Sequence, residues 1–345
     1  MMNLTRYGWN PRYYPVNDGD DVARITAVHR ERYEIVSVYG EGYARLKTSA
    51  YMTDEYEYPT VGDFVLIRYN PSGDSQIVAT LPRRTFFSRR DPTPGRDEQA
   101  IAANFDAVFI LQSMNHDFNV ARLERYLTVA RQSGADPVIL LTKADLTDDH
   151  ASYIRRTREF VPDLPVLPIS SQTGFGMDAL SAWLSPGKTV VFLGSSGVGK
   201  SSLVNAIAGK QLMSVHGIRE DDSKGRHTTT HRQLLMLPSG VMLIDTPGMR
   251  QLGVWDVSDG LSANFADVKQ YLGRCRFRDC SHTSEPGCAI RAALESGELD
   301  LRRWENYCLL EREARYAADR TLQMREKQQK FKEIAKFRNQ INRKR

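Results

Sequence analysis

The sequence has no apolar run near the roughly 18 residues that a membrane-spanning helix requires. Its first twenty residues, MMNLTRYGWNPRYYPVNDGD, hold no apolar core of the kind a secretory signal carries. Cysteine is scarce: four in 345 residues make no disulfide scaffold, and three of the four crowd into fourteen positions. The net charge is only +5, so any strong positive character must be local. These absences set the expectation of a cytoplasmic protein with no membrane partner. What is present, 41% hydrophobic residues in 345, suffices for two or three domains with a sizeable core.

The charge is indeed uneven. Residues 311–345 carry twelve Lys and Arg against five Asp and Glu, a net of +7 that exceeds the net of the chain. RRTFFSRRDPTPGR (83–96) is a second basic cluster. Such asymmetry points to a polyanionic partner, and in a cytoplasmic protein to RNA.

Between residues 22 and 82 the chain reads as five short strands, VARITAVHR, YEIVSVYG, YARLKTS, DFVLIRYN and SQIVATLP, parted by turn residues. Five such strands suggest a small all-β barrel. The oligonucleotide-binding (OB) fold is the first candidate, with an SH3-like barrel left open. From about residue 100 apolar strands alternate with amphipathic helices: DAVFILQS, then NVARLERYLTVARQSG, DPVILLT, DDHASYIRRTREFV, PVLPIS, GMDALSAWL and KTVVFLG. That alternation predicts a parallel α/β sheet. The expected organisation is an extension over 1–20 with no assigned role, a barrel over 21–84, an α/β domain over 85–255 and a C-terminal domain over 256–345. In the last, a helix without Pro or Gly is expected, with an apolar stripe set by Leu301, Trp304 and Cys308 that thins after Tyr316.

GSSGVGKS (Gly194–Ser201) follows the strand VVFL and opens the helix SSLVNAIAG, the context in which G-x-x-x-x-G-K-[ST] binds phosphate. The glycines let backbone N–H groups and the helix N-terminus face negative charge. Lys200 is expected to reach the β- and γ-phosphates and Ser201 to ligate Mg2+. Downstream, VMLIDTPG supplies a D-x-x-G pair, Asp245 for Mg2+ through water and Gly248 for the γ-phosphate. Between them GIREDDSKGRHTTTHR reads as a switch loop in which one Thr of 228–230 meets Mg2+. Met249 stands where many GTPases carry a water-orienting Gln, so slow intrinsic hydrolysis is expected, with His227 or a partner supplying help. His227, Thr229, Asp245 and Gly248 make up the candidate catalytic set.

After Gly248 the chain has no further [NT]KxD sequence. TKAD (Thr142, Lys143, Ala144, Asp145) instead precedes the phosphate loop, at the end of the strand PVILL. A carboxylate there can accept from guanine N1 and N2, a donor pair that adenine lacks. PVLPISSQTG adds Ser170 and Ser171 where a second base-contacting loop belongs. The candidate GTP-binding set is therefore these six residues with Gly194, Ser195, Ser196, Gly197, Val198, Gly199, Lys200, Ser201 and Ser202. The cyclic order of motifs is intact but the chain is opened elsewhere, which defines a circularly permuted GTPase, possible because such sites form at strand carboxyl ends wherever the termini lie.

RCRFRDCSHTSEPGCAI carries Cys275, Cys280, His282 and Cys288, a complete tetrahedral set for one structural Zn2+ with no open position. Cys308 stands apart, on the helix stripe. Arg274, Arg276 and Arg278 add positive charge beside the cluster.

Together, GSSGVGKS after TKAD, the string GRHTTT, DTPGM and the Cys-Cys-His-Cys cluster resemble the small ribosomal subunit biogenesis GTPases, the RsgA/YjeQ family, over nearly the whole chain. The resemblance implies an OB-fold N-terminal domain, a permuted GTPase domain and a zinc-binding C-terminal domain. It also implies GTP hydrolysis stimulated by the 30S subunit, and a role in late 30S maturation with 16S rRNA as main contact. Thr142 departs from the Asn of the general base-reading motif. A nucleotide-gated RNA-binding module whose hydrolysis is incidental is the alternative that Met249 permits. An ATP-dependent kinase leaves TKAD and SSQTG unexplained. Nothing in the chain suggests more than a monomer.

Overall fold

The computed structural model describes residues 3–14, 16–17, 19–29, 32–47, 58–90, 98–213, 232–245 and 258–315. The residues His227, Thr228, Thr229, Thr230, Gly248 and Met249, for which roles are expected, and the tail after 315 lie outside the described residues. The chain divides into two compact units, one of residues 1–88 with 100–252, the other of 89–99 with 253–345.

In the first unit, Val, Ile and Tyr at alternate positions make five strands: β1 (Asp21–Val28), β2 (Tyr33–Ser37), β3 (Gly40–Leu46), β4 (Phe64–Arg68) and β5 (Ser75–Thr80). β1 pairs antiparallel with both β2 and β4, β2 with β3, and β4 with β5, while β3 and β5 run parallel. The sheet closes on itself in the order β1-β2-β3-β5-β4, the five-stranded Greek-key arrangement of an OB fold, which decides against the SH3-like alternative. Ala23, Ile25, Ile35, Ala44, Val65, Ile67 and Ile77 fill its interior. The even spacing along each strand puts them on one face.

The N-terminal residues, to which the sequence assigned no role, pack on this barrel. Two short 3-10 helices, Leu4–Tyr7 and Pro11–Tyr13, are capped by Asn3 and Asn10. Trp9 stacks on Tyr14 at 4.8 Å, and both rings meet Phe64 of β4, at 5.1 and 5.0 Å. Arg24 of β1 is 1% exposed and donates to the carbonyls of Tyr7 (2.5 Å), Gly62 (3.3 Å) and Asn104 (2.8 Å). Burial pushes its pKa down to about 10, so it stays charged at neutral pH.

β6 (Phe86–Arg90) and β7 (Glu98–Ala103) form a separate two-stranded sheet. The α/β layer comes next: β8 (Ala107–Ser113), α1 (Val120–Gln132), β9 (Asp136–Thr142), α2 (His150–Arg158), β10 (Val166–Pro168), β11 (Thr189–Leu193), α3 (Lys200–Ala208), β12 (Arg232–Met236) and β13 (Met242–Asp245). GMDALSAWL makes only a 3-10 helix, Met177–Ala182. The strand order is β10-β9-β8-β11-β13-β12. All pair in parallel except β12, which is antiparallel to β13. β12 also pairs with β1 of the barrel, Ala27 opposite Gln233 and Val28 opposite Arg232, so barrel and layer share one eleven-stranded sheet.

The second unit holds α4 (Ser258–Asn264), α5 (Ala266–Lys269), α6 (Ala289–Ser296) and a helix over 301–315. Of the stripe expected at Leu301, Trp304 and Cys308, Trp304 and Cys308 are half-buried and only Leu301 is corrected. Leu301 is 57% exposed, whereas Arg303, Tyr307 and Leu310 are buried. Asp300 caps the helix through the Arg303 amide at 3.0 Å. Arg303 then forks onto Asp267 at 2.9 and 3.0 Å, and its guanidinium lies 4.1 Å from the Phe265 ring centre. A paired arginine can share the inward face with Tyr307 and Leu310, although sequence patterning counts it as polar.

Candidate functional site

β11 is apolar and fully buried between β8 and β13, the point where connections turn to opposite sides of the sheet and ligands bind at strand carboxyl ends. Gly194 leaves it with no room to spare: a Cβ there lies 3.0 Å from Val198 Cγ1 and 3.1 Å from the Leu111 carbonyl oxygen. Gly197 and Gly199 take φ of 71° and 103°, which L side chains rarely adopt. Lys200 folds back over the loop and donates to the carbonyls of Gly194 (2.6 Å) and Ser195 (3.2 Å). Ser201 and Ser202, half-buried, start α3, whose first-turn N–H groups have no intrahelical acceptor and face the loop with the positive end of the helix. Asn205 accepts from the amides of Leu212 and Met213, both at 2.8 Å, tying down the chain that follows α3.

The TKAD residues meet this loop directly. Thr142 ends β9, and its hydroxyl donates to the Val198 carbonyl at 2.6 Å. Lys143 takes the left-handed conformation at φ 59°, turning the chain into a 3-10 turn over Ala144–Leu146. Asp145 is exposed, with its Oδ1 accepting from the Ser170 hydroxyl at 2.5 Å. Ser170 is fully buried, and its oxygen also accepts from the amides of Gln172 and Thr173, both at 3.2 Å. Gly176 closes that second loop at φ 71°, where a Cβ lies 2.2 Å from the Pro168 carbonyl oxygen. Ser171 is half-buried beside Ser170. Asp245 is the last residue of β13, its backbone opposite Gln233 of β12. The fold thus gathers the phosphate loop, the TKAD loop and the Ser170 loop at the carboxyl ends of neighbouring parallel strands.

In the second unit the four expected metal ligands converge. The ligand atoms of Cys275, Cys280, His282 and Cys288 all lie within 4.8 Å of one another. Cys275 Sγ stands 3.9 Å from Cys288 Sγ, and His282 Nδ1 is 3.5 Å from each of those sulfurs. A tetrahedron with zinc-like bond lengths has edges of about 3.8 Å between sulfurs and about 3.6 Å between sulfur and nitrogen, so Cys275, His282 and Cys288 match three corners of a tetrahedral ion, with Cys280 within 4.8 Å of them. The Ala289 amide donates to Cys275 Sγ at 3.4 Å and the Arg291 amide to Cys288 Sγ at 3.5 Å. Desolvation is outweighed by the Ala289 bond and other hydrogen bonds to the sulfur, which hold the Cys275 thiol below its ordinary range. Glu285 winds the turn around His282 by accepting from the amides of Ser281 (2.8 Å), Thr283 (3.1 Å) and Ser284 (3.1 Å). Hydrogen bonds from the Ser281 side chain and then from backbone amides push its pKa down to about 2. Cys308, half-buried on the 301–315 helix, is not among the four.

The family model described as RsgA GTPase matches residues 80–255. A Small ribosomal subunit biogenesis GTPase RsgA 2 from Listeria monocytogenes serotype 4b is 46% identical over 320 residues, covering 92% of this chain and 91% of its own. The chain belongs to the RsgA GTPase family. A second relative, Small ribosomal subunit biogenesis GTPase RsgA 1 of L. monocytogenes serovar 1/2a, is 49% identical over 86% of this chain and 84% of its own. YjeQ from Thermotoga maritima superposes with a TM-score of 0.63 at 26% identity, covering 84% of this chain and 97% of its own. YloQ, described as a circularly permuted GTPase, gives 0.58 at 25% identity over 88% and 96%. The chain is accordingly a GTP-hydrolysing enzyme on a circularly permuted fold.

For a member of this family, Thr142 in place of Asn is no defect of geometry, because its hydroxyl makes the tie to the phosphate loop. Sequence reasoning had no account of that tie, nor of Asn205, whose contacts lie seven and eight residues on. The spacing in TKAD and the polar residue after the strand were the only signals available.

Proposed function

We propose that this GTPase acts in late maturation of the small ribosomal subunit, in the cytoplasm and as a monomer, binding 16S rRNA and hydrolysing GTP slowly until the 30S subunit stimulates it. The observation that carries the guanine part is the Asp145 carboxylate, oriented by Ser170 beside a phosphate loop that Thr142 holds in place. The names of the relatives, which cover most of both chains, support the ribosomal part.

In this reading the backbone of 194–202 and Lys200 bind the phosphates. Ser201, a Thr of 228–230 and, through water, Asp245 would hold Mg2+, which would offset negative charge on the β- and γ-phosphates. Gly248 meets the γ-phosphate, and His227 or a ribosomal group orients the water, a task Met249 cannot perform. Cys275, Cys280, His282 and Cys288 hold one structural Zn2+, leaving no open position for chemistry. The barrel over 21–84 and the basic tail contact RNA. The alternative, an RNA-binding module gated by nucleotide with incidental hydrolysis, draws on Met249 alone.

Steady-state hydrolysis of GTP and ATP, with and without purified 30S subunits at two salt concentrations, tests the proposal. A GTP-only rate raised by 30S and reduced by salt is expected. Equal use of ATP removes the role of Asp145. A GTP rate indifferent to 30S, with nucleotide-dependent 30S binding, leaves the gated module standing.

A further inference from the structure

His150 is the first residue of α2, behind the N-cap Asp149, which accepts from the Ser152 amide at 3.1 Å. Its Nε2 lies 2.8 Å from the carbonyl oxygen of Ala144, the residue next to Asp145. A carbonyl can only accept, so the proton is on Nε2. The same ring packs against Phe175 with centroids 5.1 Å apart and planes tilted by 45°. Phe175 belongs to the other base loop, where its carbonyl accepts from the Ser170 amide at 2.9 Å, and Ser170 in turn donates to Asp145. One side chain therefore touches both loops that meet at the Asp145 carboxylate.

The TKAD loop needs such support. Lys143 sits at φ 59°, a conformation that L residues keep only where neighbours over-determine it. The Thr142 hydroxyl holds the loop on one side, and the Ala144 amide, which donates to the Ile169 carbonyl at 3.1 Å, holds its middle. His150 secures the Ala144 carbonyl, the remaining polar group of that peptide pair.

We propose that His150 is a positioning residue for guanine recognition: it clamps the TKAD loop to the Ser170 loop and so sets the angle at which Asp145 accepts from two ring donors. This rests on the reading of Asp145 as the guanine acceptor. The clamp discriminates between bases because a tilted carboxylate still reaches one donor but loses the second, whereas phosphate binding through 194–202 does not depend on it.

Equilibrium titration of the full-length protein with GDP, IDP and XDP, together with steady-state GTP hydrolysis, tests this. IDP lacks the exocyclic amine and so reports one-point reading. H150A should weaken GDP by about fivefold, the equivalent of one ordinary hydrogen bond. IDP should weaken less, so the GDP-to-IDP preference shrinks, and KM for GTP should rise with kcat within about twofold. H150Q, which returns an amide donor near the position of Nε2, should recover most of the loss. H150F, which keeps the contact with Phe175 without a donor, should not, and this pair remains informative if H150A fails to fold. An unchanged GDP-to-IDP preference in H150F, or H150Q as weak as H150F, overturns the clamp. D145N separates the underlying reading: if it leaves GDP binding intact, Asp145 is not the acceptor, whatever the His150 variants do.

Discussion

Guanine presents N1–H and N2–H2 side by side, and in the proposed reading Asp145 offers two acceptor oxygens to match them. Its Oδ1 is already engaged by the Ser170 hydroxyl, which can rotate but is a donor here, since its oxygen accepts from two amides. In D145N the Ser170 donor selects the amide oxygen for itself and turns the NH2 toward the base. That group repels the guanine donors but suits the 2-oxo group of xanthine. Two charge-assisted hydrogen bonds of roughly 1.5–3 kcal/mol each are lost for GTP, so kcat/KM for GTP should fall by about 100-fold or more while XTP becomes a substrate. Measuring both ratios on the variant decides it; undiminished GTP use rules out the carboxylate as the reader. Asp145 and Ser170 were visible in the sequence because each follows an apolar strand at a fixed interval. His150 was not: a side chain bonding to a backbone carbonyl six residues back leaves no pattern in residue types.

Strands were the most legible elements, since buried alternation is written in the residues that make it, and all five barrel strands fall where the apolar pattern put them. Their closure was not legible. Pairing of β3 with β5 and of β1 with β12 depends on chain separated by about 30 and about 200 residues, and no local preference encodes it. The joint between barrel and layer hinges on Gly62. At φ 90° its Cβ position lies 2.0 Å from the Ala103 carbonyl oxygen, while its own amide donates to Ile25 at 2.9 Å and its carbonyl accepts from Arg24 and Asn104. Backbone cannot yield there without releasing the buried Arg24. G62A should therefore cost about 2–4 kcal/mol, lowering Tm by roughly 5–15 °C in a unit of this size. Gly42 on β3 has nothing within 4 Å of its Cβ position, and G42A is the control, expected within about 0.5 kcal/mol of the parent. Thermal melts of the two variants compare them; equal Tm values mean that the joint relaxes around the extra methyl.

Opening the GTPase ring between β13 and β8 changes the neighbours of the motifs at the cut. In uncut order the strands run β11, β12, β13, β8, β9, β10; here the barrel precedes β8 and the segment with the cysteine cluster comes after β13. The motif order revealed this opening from sequence alone, because motifs are local even when their order is not. The two units draw on different sources of stability. The first buries continuous apolar strands such as β8 and β11. The second sets short helices around a cysteine cluster: α4 has seven residues, α5 four and α6 eight, lengths that do not persist alone in water. Cys288 is both a candidate ligand and the N-cap of α6, so losing the ion or the sulfur frees that helix at its start. Chelation, or C288S, should therefore unfold the second unit while sparing the first, because structural zinc binding and folding are one free-energy change. Hydrogen exchange should show lost protection across 275–296 with 107–113 and 189–193 unchanged, and intrinsic GTP hydrolysis should stay within about twofold. Metal analysis of the untreated protein should give one zinc per chain. Protection at 275–296 that survives complete metal removal means that the apolar contacts of Phe265, Tyr307 and Leu310 suffice, and that the cluster is a passenger on a fold that stands without it.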